Sequence, residues 1–173
     1  LADMARDPKP KILLGVSYAL WDLAERYAPK FENTVVMETG GMKGHREELP
    51  KAQFHRILCE AFGVESIHSE YGMAELTSQA YSSGSGIFRT PGWMRVLVRD
   101  VNDPFDIRPA GVRGGIDIID LANRYSCAFI QTQDIGRVTP RGLPIRPQTA
   151  PNPTRKSPNR PDGKTRTQSP RGA

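Results

Sequence analysis

Thr34-Val35-Val36-Met37-Glu38-Thr39-Gly40-Gly41 decides the fold. Its first four residues are apolar or β-branched and read as a strand, which runs straight into a glycine pair. On the N-terminal side, Ile12-Leu13-Leu14-Gly15-Val16 reads as a second short buried strand. Between the two, Tyr18 to Tyr27 carries apolar residues at 20, 21, 23, 24 and 27, the spacing of an amphipathic helix that Pro29 ends. On the C-terminal side, Glu47 and Glu48 precede Pro50, as at a helix N-terminus. Phe54, Ile57, Leu58, Ala61 and Phe62 then form one apolar stripe, with Gly63 as its stop. Ser66-Ile67-His68 reads as a third strand. This alternation predicts a βαβ-layered α/β sheet, parallel and covered by helices.

The second half changes character. Met94 to Arg99 alternates and then turns at Asn102-Asp103-Pro104. Gly114-Gly115 leads into Ile116-Asp117-Ile118-Ile119-Asp120, and Ser126 to Ile130 reads as another strand. Short strands separated by turn residues predict a small antiparallel or barrel-like β subdomain. After Gly136 the pattern dissolves.

The charge divides at the same place. The 173 residues hold 24 Lys+Arg and 19 Asp+Glu, a net of +5. Residues 137–173 hold 9 Lys+Arg and 1 acid, with eight prolines and no aromatic residue. Residues 1–136 therefore hold 15 Lys+Arg and 18 acids, a net of −3. A mildly acidic body argues against a nucleic-acid-binding face there. The tail buries too little apolar surface to offset the entropy of ordering, so it is expected to be disordered. The expected division is thus 1–136 as the folded domain and 137–173 as a basic Pro/Arg-rich tail. Such a tail is a possible RNA or acidic-protein contact, or the product of a shifted reading frame.

No apolar run approaches the roughly 20 residues that span a membrane, and no signal peptide is visible. Cys59 and Cys127 form neither a disulfide framework nor a zinc spacing and read as buried free thiols. The expected setting is cytoplasmic. Leu1 stands where a start methionine would, consistent with a chain that begins partway through a longer frame.

Three groups of residues carry candidate chemistry. Gly40 and Gly41, with Gly44 beyond, place bare backbone at a strand's C-terminal end, where a nucleotide can approach closely. Tyr71-Gly72-Met73-Ala74-Glu75 offers a flat ring for a purine, a glycine to turn beneath it and a carboxylate, Glu75, to hold Mg²⁺ beside phosphates. Asp134, in Thr132-Gln133-Asp134, can accept hydrogen bonds from both ribose hydroxyls. Singly, each also reads as an ordinary turn. The histidines, His45, His55 and His68, show no metal spacing, and His55 is expected to be partly exposed. A rival motif, Gly15-Val16-Ser17-Tyr18-Ala19, is a loose nucleophile elbow in which Ser17 would need Glu47 and His68 as partners.

Seven blocks in order resemble one family. They are Met37 to Gly44, Ile67 to Met73, Trp93 to Leu97, Asn102 to Phe105, Gly114 to Ile116, Ile119 to Asn123 and Thr132 to Gly136. Together they resemble the LuxE-type acyl-protein synthetases, within the adenylate-forming ligases, over about Ile12 to Gly136. The resemblance implies ATP-dependent activation of a fatty acid. Its carboxylate attacks the α-phosphate, giving acyl-adenylate and pyrophosphate, and the acyl group passes to a protein thiol. In bioluminescence the acceptor belongs to a fatty acid reductase. Carried over by position, Gly40, Gly41 and Met42 border the adenine and acyl site. Glu70 and Tyr71, with Gly72 and Met73, flank adenine, Glu75 lies near Mg²⁺, and Asp134 holds the ribose. Gly15 to Tyr18 line the acyl side.

Departures from the family pattern shape the expectation. The family usually has threonine where this chain has Ala74, and that hydroxyl helps hold the α-phosphate. The family's upstream phosphate loop and its small lysine-bearing C-terminal domain have no counterpart here. Neither Cys59 nor Cys127 occupies the position of its acyl-accepting cysteine. The resemblance therefore implies the C-terminal half of a large adenylate-forming domain, with little or no turnover as an isolated chain. The alternatives are an acyl-CoA ligase fragment, or a non-catalytic nucleotide-binding module with a basic nucleic-acid-binding tail.

Overall fold

The computed structural model describes residues 2–42, 44–45, 49–140, 142 and 145–146. Glu47, Glu48 and nearly all of the Pro/Arg-rich tail lie outside the described residues.

The described residues open with a short helix, α1 (Ala2–Arg6), too short to show a helical period in the sequence. Strand β1 (Lys11–Val16), helix α2 (Ser17–Tyr27), strand β2 (Thr34–Thr39), helix α3 (Lys51–Phe62) and strand β3 (Ile67–Tyr71) follow. The three strands lie side by side and parallel, with Val16 opposite Thr39 and Thr39 opposite Glu70. This is the expected βαβ alternation. A short strand, β4 (Ala80–Ser82), then pairs antiparallel with β3 and ends the sheet. At three residues, β4 is too short to show a period, so the sequence did not reveal it.

Both long helices cover one face of this sheet. Leu20 and Ala24 of α2 and Phe54, Leu58 and Phe62 of α3 form one core with Val36 and Ile67 beneath them. Gly63 closes α3 in the left-handed region, at φ +71°, as expected of a helix stop. Pro50 sits one position outside the helix rather than at its first turn. Among the described residues nothing covers the opposite face: Ile12, Leu14 and Val35 point outward, with Ile12 69% exposed. Parallel sheets normally bury both faces.

The second sheet is antiparallel throughout: β5 (Met94–Arg99), β6 (Gly114–Asp120), β7 (Phe129–Gly136) and β8 (Ile145–Arg146), in that order. The expected β subdomain is therefore present, and pairing continues past Gly136 through β8. Met94, Val98, Ile116 and Ile118 meet Tyr71, Ala80 and Phe88 in a second core. A Cβ on Gly114 would collide with the backbone carbonyl of Arg99, which is why β6 begins with bare backbone there.

Two expectations fail. Cys127 is exposed rather than buried, because β7 starts only at Phe129 and leaves Ser126 and Cys127 in the preceding turn. His55 is buried rather than partly exposed, because α3 turns it inward onto Glu38. Cys59 is half-buried beside the first core.

Candidate functional site

Parallel pairing sets the C-terminal ends of β1, β2 and β3 along one edge. Ser17, Gly40 and Gly72 follow those ends. Such an edge is where open α/β sheets bind ligands. Gly40 turns the chain with φ +70°, which an L side chain rarely adopts. The turn is fastened from below. Ser17 Oγ lies 3.4 Å from both the Thr39 and Gly40 carbonyl oxygens and donates to Glu38 Oε2 at 2.8 Å.

Glu38 is 1% exposed, directly before the glycine turn. Lys51 Nζ lies 2.7 Å from its Oε1, and His55 Nε2 lies 3.5 Å from the same atom. Lys51 holds Oε1 as a close ion pair, with His55 beside the same atom. Burial alone would raise the Glu38 carboxyl. The His55 contact and the Lys51 charge outweigh burial and hold it at about 2. Neither Glu38 nor Lys51 was legible as a functional residue, since a carboxylate in a strand and a lysine on a helix carry no motif. These contacts also remove the nucleophile-elbow reading: the Ser17 hydroxyl bonds a carboxylate rather than a histidine.

The aromatic-glycine motif begins inside β3 rather than after it. Glu70 accepts a hydrogen bond from Thr39 Oγ1 at 3.1 Å, tying it to the glycine turn's own strand. Tyr71 points to the other face, is 5% exposed and meets Phe88 edge-on at 6.1 Å. Its hydroxyl donates to Asp134 Oδ2 at 2.6 Å. Burial first, then the Asp134 hydrogen bond and charge, raise the Tyr71 hydroxyl far above its ordinary value. Met42 is buried in the first core and Met73 packs half-buried against the second. Gly72, Ala74 and Glu75 are exposed.

Thr132-Gln133-Asp134 is a bulge. Gly115 pairs with Ile135 and Asp117 with Gln131, so these three residues stand opposite the single Ile116. Bulges re-aim side chains, often beside functional sites. Thr132 Oγ1 donates to the Ile116 carbonyl at 2.8 Å and accepts from the Asp134 N–H at 3.1 Å. Arg99 closes the bulge, with Nη2 donating to the Thr132 carbonyl at 2.9 Å.

The loop from Gly72 to Gln79 is tied to the end of β6. Buried Asp120 accepts from the Ser78 N–H and hydroxyl, both at 2.8 Å, and from the N–H groups of Thr77 and Ala122. Burial would raise its carboxyl, but these bonds hold it below the usual range. Asn123 Nδ2 donates to the Glu75 carbonyl at 2.7 Å. Both residues lie in a quoted block, yet their clamp role had no local sequence signal.

Among the described residues no cluster of three or more His, Cys, Asp or Glu side chains forms a metal cage. Mg²⁺ on phosphates needs only one or two carboxylates, and exposed Glu75 fits that modest requirement. No described helix is long and apolar enough to cross a membrane.

A parallel sheet with a glycine turn at its edge, followed by an antiparallel sheet with a bulged Thr-x-Asp, is a fold shared with solved adenylate-forming ligases. No family model and no curated protein matches the sequence. Solved structures do match it. ATP-bound MatB from Rhodopseudomonas palustris has a TM-score of 0.60 at 17% identity, over 83% of this chain and 31% of that one. O-succinylbenzoate coenzyme A synthetase (MenE) from Bacillus subtilis, in complex with AMP, has a TM-score of 0.53 at 18% identity, over 78% and 30%. NpsA-ThdA from Klebsiella oxytoca is an artificially fused adenylation–PCP didomain of a nonribosomal peptide synthetase. It has a TM-score of 0.55 at 11% identity, over 83% and 29%. The chain spans about a third of the length of these proteins.

Proposed function

We propose that this chain is the adenylate-binding part of a ligase that activates a fatty acid with ATP and passes it to a protein thiol. The observation that carries the reading is the Tyr71–Asp134 hydrogen bond. It joins two motif blocks 63 residues apart at the edge where the glycine turn emerges. The likeness to ligases solved with ATP and with AMP supports a nucleotide at that edge. In this reading Gly40 and Gly41 admit the nucleotide, Glu70 lies on the adenine side, the buried Tyr71 ring offers no stacking face but orients Asp134 through its hydroxyl, and Asp134 receives the ribose. Glu75 serves Mg²⁺. The fatty-acid substrate and a fatty-acid-reductase-like acceptor rest on the family resemblance of the quoted blocks.

The isolated chain is expected to bind a non-hydrolysable acyl-adenylate analogue without turning over. Calorimetry with the analogue, paired with an ATP–pyrophosphate exchange assay, tests this. Binding without exchange supports the proposal. Robust exchange overturns the inactive-fragment part, and no binding overturns the nucleotide part.

A second reading is an acyl-CoA ligase. The specific observation in its favour is the likeness to a coenzyme A synthetase. The exposed Ala74 favours a third, a nucleotide-binding module without catalysis. Any nucleic-acid contact would belong to the basic tail, and affinity that falls steeply with salt and vanishes on cutting at Arg137 would reveal it.

A further inference from the structure

A cavity of about 1620 Å³ opens between β4, the 83–92 loop, the start of β5 and the segment after Gly136. None of Gly40, Gly41, Met42, Glu70 to Glu75 or Asp134 lines it, so it is separate from the adenylate edge. Its composition is unlike that of the body around it. Residues 1–136 carry a net charge of −3, yet no Asp or Glu is found among the described residues lining this cavity. Arg89 and Arg95 line it instead, both exposed and neither in an ion pair among the described residues. Eight of the lining residues carry a hydroxyl. One of them, Ser82, is 2% exposed, and its Oγ has no hydrogen-bond partner among the described residues. A buried hydroxyl without a partner is costly unless something meets it.

The cavity also offers a fixed flat face. Trp93 is 55% exposed, but its ring is held in place. Its Nε1 donates to Ser78 Oγ at 2.8 Å, and Ser78 Oγ in turn donates to Asp120 Oδ1 at 2.8 Å. An anchored indole loses little freedom when a ring stacks on it.

We propose that this cavity is a second binding site, for a ligand that carries both a phosphate group and a flat ring, the nucleotide class. Guanidinium groups match phosphate oxygens with paired N–H donors, and hydroxyls complete the shell. The indole takes the ring. The cavity is wide enough to admit a nucleotide. The assignment does not depend on the adenylate reading, because the two sites share no residue.

The test titrates the full chain with AMP, inorganic pyrophosphate and adenosine, by calorimetry and by Trp93 fluorescence. AMP is expected to bind and change the fluorescence. Adenosine binds at least tenfold more weakly, and pyrophosphate binds with little spectral change. The Arg89→Gln/Arg95→Gln variant is expected to lose tenfold or more in affinity for AMP and pyrophosphate, and Trp93→Phe to weaken AMP but not pyrophosphate. Both arginines are exposed, so the variant should fold, and an unchanged unfolding midpoint checks it. Asp134→Asn is expected to leave pyrophosphate binding and the arginine-dependent part of AMP binding intact. AMP or pyrophosphate binding that is absent, or indifferent to the double arginine change, overturns the proposal. Adenosine binding as tightly as AMP also overturns it. If AMP binding depends on Asp134 alone, the adenylate reading survives and the second site does not.

Discussion

The Tyr71 hydroxyl donates to Asp134 Oδ2 at 2.6 Å, and this one bond joins the parallel sheet to the bulge of the antiparallel sheet. Tyr71 arrives at the end of β3, and Asp134 is turned toward it by the two extra residues of the Thr132-Gln133-Asp134 bulge. Burial and the Asp134 contact raise the Tyr71 hydroxyl above its ordinary value, which favours its role as the donor in this bond.

Tyr71→Phe keeps the ring against Phe88 and removes only the hydroxyl. Hydrogen bonds to charged groups contribute about 1.5–3 kcal/mol, so a loss of about 2 kcal/mol is expected. Urea unfolding should show a lower midpoint at an unchanged m-value. An unchanged midpoint would show that the bond does not couple the sheets.

Glu38 gives a pH dependence of definite sign. Its folded carboxyl is held at about 2, below its ordinary value of 4.5. A depressed carboxyl stabilises the fold fully above the ordinary value, and that contribution is lost as pH falls from about 4.5 towards 2. The shift corresponds to at most about 3 kcal/mol. Unfolding free energies measured across that window should fall for the natural chain. In Glu38→Gln they should be lower at neutral pH and flatter across the window. Equal slopes for the two proteins would sink the assignment.

How far the sequence revealed this arrangement depends on the range of each signal. β1, α2, β2 and α3 were legible because a period of 3.6 or an apolar run repeats within a dozen residues. Gly40, Tyr71 and Asp134 were singled out as residue types around one nucleotide, but the direct Tyr71–Asp134 bond was not legible. What brings Asp134 to Tyr71 is a bulge, and a register shift leaves no local pattern. Glu38, Asp120 and Asn123 were not legible as site-building residues. Their roles lie in what they meet 21 to 48 positions away: Ser17 for Glu38, Ser78 for Asp120 and the Glu75 carbonyl for Asn123. Cys127 and His55 were misread for a related reason. Apolar neighbours suggested a strand around Cys127, and helix position alone could not show that His55 faces a buried carboxylate.

Asp120→Ala should be among the most damaging single changes in the second half. Asp120 is fully buried and receives four hydrogen bonds, three of them from backbone N–H groups. Removing it strands buried donors, at a cost of about 3 kcal/mol or more. Amide exchange at Thr77 and Ser78 should accelerate more than exchange within β1, whose bonds the change does not touch. Uniform acceleration would mean that Asp120 supports the whole fold rather than clamping the loop.

Ala74→Thr tests the adenylate edge by gain rather than loss. Ala74 is exposed between Gly72 and Glu75, in the loop that Asp120 and Asn123 hold in place. A threonine there is what the resemblance implies for a chain that grips the α-phosphate. The added methyl and hydroxyl enter solvent, so stability should stay within about 0.5 kcal/mol. One hydrogen bond to a charged phosphate oxygen contributes about 1.5–3 kcal/mol, or roughly tenfold and upward in affinity. Calorimetry with the acyl-adenylate analogue should therefore show tighter binding for Ala74→Thr than for Ala74→Val, which has the same shape without the hydroxyl. Equal affinities for the two variants would place the phosphate elsewhere and remove Ala74 from the site.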